Sequence, residues 1–176
     1  MALKPTIYKF KIDLTDLERE VYQSLNLTLA RHPSETLERM MTRVLAFCLN
    51  AQDQLLFCKG LSDTDEPDLW AHSLDGKLQL WIEVGEPTLD RIKKSSRLAT
   101  TVKVYCFNNK ANTWWELNRS GLAELPVSIV QLQWDEIQTL ANMVERTMDF
   151  SITVSGDSAY VATAAGECEL SLLTRQ

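Results

Sequence analysis

Residues 67–85 read PDLWAHSLDGKLQLWIEVG, and the fold turns on this stretch. Asp75-Gly76 sits between two apolar-polar runs, the strongest short-range signal for a two-residue β-hairpin turn. With these residues at the tip, ladder partners sum to 151: Leu74 faces Lys77, His72 faces Gln79, Trp70 faces Trp81, and Asp68 faces Glu83. Directly opposed side chains stand ~5 Å apart at Cβ and share a face. Leu78, Leu80, Ile82 and Val84 take the other face, which is apolar and predicted to be core. Two like charges so placed repel. They call for a divalent cation, a basic side chain, or a shared proton. Hard cations such as Mg²⁺ suit an oxygen cluster and leave positions for water or phosphate. A slipped register would instead leave both acids solvated at the strand ends.

The flanking segments supply candidate companions. Residues 33–50 are predicted as a helix opened by Pro33 or Ser34, with Leu37, Met40, Met41, Val44, Leu45 and Cys48 on one side. Glu38 lies at the edge of that stripe and Arg39 farther round. Glu38 either reaches the acid pair or serves the positive helix end from solvent. Residues 87–99 are predicted as a helix with Leu89, Ile92, Ser96 and Ala99 inward. Lys93 borders that stripe and Lys94 points away, so Lys93 is the better candidate to turn towards the carboxylates; otherwise it is a snorkelling surface lysine.

Farther out, residues 6–30 alternate as two strands, and 150–173 divide at Gly156 and Gly166 into a three-strand meander. Val102–Phe107 is predicted as a strand, as are Trp114–Leu117 and Val127–Gln133, the last two on weaker patterning. Asp135–Met148 is predicted as a helix with Asp135 as N-cap. The expected class is α/β, mixed α+β, in one domain over residues 1–176, with the terminal strands making a second sheet.

Composition narrows the function. A net charge of −6 argues against indiscriminate coating of nucleic acid, although Arg91, Lys93, Lys94 and Arg97 form a local basic run. Cys48, Cys58, Cys106 and Cys168 lack metal-ligand spacing and sit in apolar contexts, which reads as buried free thiols in a reducing, cytoplasmic compartment. No stretch approaches the ~20 apolar residues of a membrane span, and no secretory leader is recognised.

His32-Pro33-Ser34-Glu35 with Glu38 and Arg39, Pro67-Asp68-Leu69-Trp70, Trp81-Ile82-Glu83-Val84-Gly85, Arg91-Ile92-Lys93-Lys94 and Trp114-Trp115 occur in an order that resembles the YaeQ family over essentially the whole chain. The resemblance implies a core similar to the PD-(D/E)xK nuclease superfamily: a mixed sheet, a helix, a hairpin carrying the acids, and a second helix. Its metal-binding acids correspond to Asp68 and Glu83, and its helical glutamate to Glu38. The superfamily's lysine falls on Gly85, so Lys93 or Lys94 of the next helix would have to replace it.

The activity expected from this resemblance is Mg²⁺- or Mn²⁺-dependent phosphodiester hydrolysis on DNA or RNA. Asp68, Glu83 and Glu38 would be the metal-site acids, Lys93 the catalytic cation, and Arg91, Lys94 and Arg97 the phosphate contacts. The alternative is a non-catalytic binding protein on the same scaffold, meeting a protein partner.

Overall fold

The computed structural model describes residues 3–176. In chain order the elements are β1 (Thr6–Asp16), β2 (Val21–Arg31), α1 (Leu37–Leu49), β3 (Leu55–Phe57), β4 (Leu69–His72), β5 (Leu78–Val84), α2 (Leu89–Leu98), β6 (Thr101–Cys106), α3 (Ala111–Leu122), β7 (Val127–Gln131), α4 (Trp134–Ala141), β8 (Thr147–Ser155), β9 (Ser158–Thr163), β10 (Gly166–Ser171) and β11 (Leu173–Thr174). A single 3₁₀ turn, Gly60–Ser62, interrupts the loop between β3 and β4.

Two mixed sheets result. The chain termini build one, ordered β10-β9-β8-β1-β2, and the middle builds the other, ordered β11-β7-β6-β5-β4-β3. The first unites the N-terminal hairpin with the tail meander, the second sheet expected of the terminal strands, through a parallel β1–β8 pairing.

The larger hydrophobic cluster takes the inner face of the terminal sheet, α1, α4, and Leu69, Ala71, Leu80, Ile82 and Val84 of the central sheet. The smaller one lies on the reverse of the central sheet, where Trp81, Val102, Val104 and Ile129 meet Ile92 of α2 and Leu122 of α3. The central sheet is therefore apolar on both faces, as expected of strands covered by helices. Glu83 projects from the second face into this packing and is only 5 % exposed.

The hairpin register holds where it matters. Leu69 pairs with Ile82, Trp70 with Trp81 and Ala71 with Leu80, all summing to 151. A bulge between Ala71 and His72 pairs His72 with Leu78 rather than Gln79. The extra residue turns Leu78 onto the second cluster, away from Leu80, Ile82 and Val84.

Other expectations are corrected. Thr36, not Pro33 or Ser34, caps α1: its side chain accepts from the Arg39 N–H, which shortens the helix to Leu37–Leu49. Trp114–Leu117 is helical. Ala111, Trp114, Trp115 and Leu122 repeat at helical spacing, and all four pack on the second cluster. Trp114 also donates from Nε1 to the Pro87 carbonyl at 2.9 Å. The expected helix over 135–148 is Trp134–Ala141, preceded by Gln133, because β8 begins at Thr147. The α2 stripe uses Ile92 and Ser95 as its buried residues, not Ser96. All four cysteines are free, but Cys58 and Cys168 are half-buried rather than enclosed. No helix among the described residues is long and apolar enough to cross a membrane.

Candidate functional site

Asp68 ends the β3–β4 loop, and its side chain is 1 % exposed. Both oxygens are engaged: Oδ1 accepts from Arg39 Nη2 at 2.7 Å, and Oδ2 from the Val84 N–H at 2.8 Å. Glu83, one residue before Val84 on β5, lies just past the last ladder pair, Leu69–Ile82, where the Asp68 N–H donates to the Ile82 carbonyl at 3.1 Å. Its Oε1 accepts from Trp81 Nε1 at 2.9 Å and from Arg91 Nε at 2.8 Å. Its Oε2 receives no donor among the described residues, and it is not among the sealed buried atoms. Glu83 lines a cavity of about 350 Å³ with Asp68, Arg39, Gly85, Glu86 and Arg91. A second cavity of about 700 Å³ meets it at Arg39, Gly60, Leu61, Glu66 and Asp68.

Burial pushes the Glu83 carboxyl above the ordinary glutamate range, and the Asp68 charge adds to the rise; Arg91 and the Trp81 N–H oppose it. The mutual repulsion expected of opposed acids is therefore present, and arginines relieve it. Arg39 bridges two acids, with Nη1 on Glu35 Oε2 at 2.8 Å and Nη2 on Asp68. Arg43 Nη2 reaches Glu35 Oε1 at 2.6 Å. For Arg39, burial works against the charge, but Asp68 and Glu35 outweigh it and raise the guanidinium pKa. Arg43, Glu35, Arg39 and Asp68 thus form one chain of ion pairs and Arg91 and Glu83 a separate pair, the two meeting at the neighbouring acids.

Arg91 also fastens a loop. Its Nη1 donates to the Thr64 carbonyl at 2.6 Å and Nη2 to the Glu66 carbonyl at 3.0 Å. The loop folds over the acids at Gly60, whose φ of +50° suits glycine. A Cβ added there would meet Asp68 Oδ1 at 2.6 Å. Asp68 cannot yield, because Arg39 and Val84 hold both its oxygens. Gly60→Ala is expected to cost about 2 kcal/mol in urea unfolding, from the left-handed backbone and the forced contact. A loss below ~0.5 kcal/mol would mean that the loop does not seat on Asp68.

The structure brings Asp68 and Glu83 together and separates the other candidates from them. Glu38 is half-buried and borders neither cavity. No group of three His, Cys, Asp or Glu side chains among the described residues is placed to hold a metal ion. Lys93 is exposed, Lys94 pairs with Asp65 at 3.9 Å, and Arg97 is exposed in the last turn of α2. Arg91, expected as a phosphate contact, pairs with Glu83.

Sequence reasoning missed Glu35, which is 3 % exposed. Its signal was the four-residue spacing Glu35, Arg39, Arg43, which aligns an acid and two arginines along one side of a helix. Helical spacing places Arg39 farther from the core stripe than Glu38, yet its length carries the guanidinium to Asp68.

Comparison with known proteins agrees along the full chain. Residues 1–172 match the family described as YaeQ protein. The uncharacterized protein YaeQ of Salmonella typhi is 38% identical over 178 residues, covering 100% of this chain and 98% of the relative. The uncharacterized YaeQ of Escherichia coli K12 is 36% identical over the same length, with the same coverage. The crystal structure of YaeQ from Xanthomonas axonopodis pv. citri superposes with a TM-score of 0.94 at 32% identity, covering 98% of each chain. That of YaeQ from Pseudomonas syringae gives 0.93 at 37% identity, covering 98% of this chain and 96% of the other. The chain belongs to the YaeQ family.

Proposed function

We propose that this protein hydrolyses phosphodiester bonds of DNA or RNA with the help of Mg²⁺ or Mn²⁺, on a core similar to the PD-(D/E)xK nucleases. The observation that carries the proposal is the buried pair Asp68 and Glu83 at the edge of a shared cavity, with Glu83 Oε2 free of donors among the described residues. A stability role alone favours apolar residues at such positions, because charge burial is costly. The order of α1, the acidic hairpin and α2, with Pro67-Asp68 and Glu83-Val84-Gly85, supports the nuclease-like assignment.

A hard divalent ion would draw on Glu83 Oε2, the one oxygen of the pair with no donor among the described residues, and on the second lone pairs of the Asp68 oxygens, which already accept from Arg39 and Val84. Mg²⁺ is commonly held by one or two carboxylates, with waters and substrate phosphate completing its shell. Asp68 and Glu83 would hold it, without Glu38. Bound there, the ion would supply Lewis acidity and a water of lowered pKa.

The chain's own residues do the rest. Arg39 on Asp68 and Arg91 on Glu83 orient the two carboxylates through ion pairs, and Arg91 opposes the upward shift that burial imposes on Glu83. Arg91 takes the cationic role expected of Lys93, and its guanidinium can turn from Glu83 to a phosphate with bidentate geometry. Lys93, Lys94 and Arg97 lie exposed beyond it on α2, as contacts for neighbouring phosphates.

One observation favours the second reading, a non-catalytic scaffold: the arginines already neutralise both acids. Calorimetric titration with Mn²⁺ and Mg²⁺, followed by incubation with single- and double-stranded DNA and RNA, separates the two. Saturable binding near one ion per chain, with metal-dependent strand cleavage, is the expected result. Absence of both binding and cleavage at millimolar metal leaves the scaffold reading.

A further inference from the structure

Strand β2 forms an open edge of the terminal sheet, and it is unusually unguarded. Natural edge strands are blunted by charge, proline, bulges or shortness. Residues 21–30, VYQSLNLTLA, contain no charged residue, no proline and no glycine. The β1–β2 ladder runs through eleven pairs, Thr6↔Arg31 to Asp16↔Val21, without a register shift. The remaining edges are protected: β10 carries Glu167 and Glu169, β3 has 3 residues and β11 has 2.

The direction of the free backbone groups can be read from one contact. Arg43 Nη2 donates to the Ala30 carbonyl at 3.2 Å, so Ala30 faces away from β1. By strand alternation, Tyr22, Ser24, Asn26 and Thr28 also direct N–H and C=O outward. Among the described residues, none of these outward groups finds a backbone partner.

We propose that β2 pairs antiparallel with β2 of a second copy of this chain, across a two-fold axis at Leu25, joining five strands from each copy into one continuous sheet. A strand that pairs with its own copy must be complementary to itself, and the lack of charge over residues 21–30 removes the like-charge opposition that would forbid it. The register follows from two constraints. Facing residues must share a side of the sheet, so their numbers sum to an even value. Ala30 has spent its carbonyl on Arg43, which leaves Tyr22 facing Thr28 and Ser24 facing Asn26. That gives about eight ladder hydrogen bonds, two for each of four pairs. On the inner side Leu25 meets Leu25, Gln23 meets Leu27 and Val21 meets Leu29, extending the row of Leu25, Leu27 and Leu29 that already packs on the larger cluster. On the outer side Tyr22 gains a β-branched neighbour in Thr28.

Light scattering and sedimentation from low to high micromolar protein test the assembly. The wild type is expected to double its mass. Asn26→Pro removes an N–H that bonds nothing among the described residues, so it should raise the dissociation constant at least about tenfold with little loss of fold. Leu25→Cys tests the register itself. In this non-hydrogen-bonded pair the Cα atoms stand ~4.5 Å apart, within disulfide reach, so mild oxidation should join two chains through the introduced thiols. Tyr22→Cys, far from its own copy in this register, should not crosslink. A wild type that stays monomeric at high micromolar concentration overturns the proposal, as does crosslinking of Leu25→Cys no faster than Tyr22→Cys. If Asn26→Pro does not fold, the Leu25→Cys comparison decides alone.

Discussion

Arg39→Ala is expected to lose about 3–5 kcal/mol of unfolding free energy, enough to lower the melting temperature by roughly 10 °C or more in a chain of this size. The magnitude reflects the groups the side chain leaves behind. Its side chain is 16 % exposed, and the guanidinium bridges Glu35 and Asp68, whose side chains are 3 % and 1 % exposed. Removing one partner of a buried pair costs more than the pair itself contributes, because the orphaned charge stays buried. Glu35 retains Arg43, but Asp68 keeps only the Val84 N–H.

Arg39→Lys should rescue little, because a single ammonium cannot span both carboxylates as the guanidinium fork does. Arg91→Ala should cost less, about 1–2 kcal/mol, because that side chain is 29 % exposed and Glu83 can take up a proton more readily than an ordinary glutamate. Urea unfolding of the three variants at neutral pH tests the ranking. A loss below about 1 kcal/mol for Arg39→Ala would show that the network carries little of the stability.

The acids were legible in the sequence and the arginines were not, for a physical reason. Asp75-Gly76 and the alternation around it define a local ladder, and a ladder fixes which side chains oppose one another. The bulge at His72 left the pairs nearest Asp68 and Glu83 intact because it falls on the turn side of Ala71. The two-sheet arrangement was legible for a similar reason: the central strands were already accounted for, so the terminal strands needed each other.

Arg39 and Arg91 instead reach their acids across 29 and 8 residues of chain through long, flexible side chains. Helical face alone ranks such residues poorly, since a charged head can lie far from its own Cα. It overvalued Lys93, which borders the stripe but is exposed, and undervalued Arg39. The Trp114-Trp115 pair misled in another way: aromatic residues favour strands on average, but here helical spacing placed both on the second cluster. Glu35 and Glu38 differ by three residues, and a cap at Thr36 rather than Ser34 puts the buried role on the former.

Glu83→Gln separates a functional acid pair from a structural one more cleanly than any change at Asp68. Asp68 accepts on both oxygens, from Arg39 and from Val84, so an asparagine in either orientation would point an amide N–H at another donor. Glu83 accepts both of its hydrogen bonds on Oε1 and leaves Oε2 towards the cavity. Glutamine can keep that acceptor for Trp81 and Arg91 while its amide nitrogen takes the open position.

The pH dependence sharpens the test. Because the folded-state pKa of Glu83 is raised above its unfolded value, its contribution favours folding while the carboxyl is protonated. That contribution is lost as pH rises from the ordinary glutamate value through the raised one. Glu83→Gln should remove this component, leaving a stability at neutral pH equal to or above that of the wild type, and a flatter profile between acid and neutral pH.

Metal binding and any phosphodiester cleavage should move the other way. The loss of one ligand oxygen and one negative charge removes several kcal/mol of transition-state stabilisation, about three orders of magnitude in rate. A variant that is as stable as the wild type and has lost both metal affinity and cleavage places Glu83 in the chemistry. A variant that keeps its metal affinity, or that unfolds more readily at neutral pH, makes Glu83 a structural partner of Arg91 and removes the main support for hydrolysis at this site.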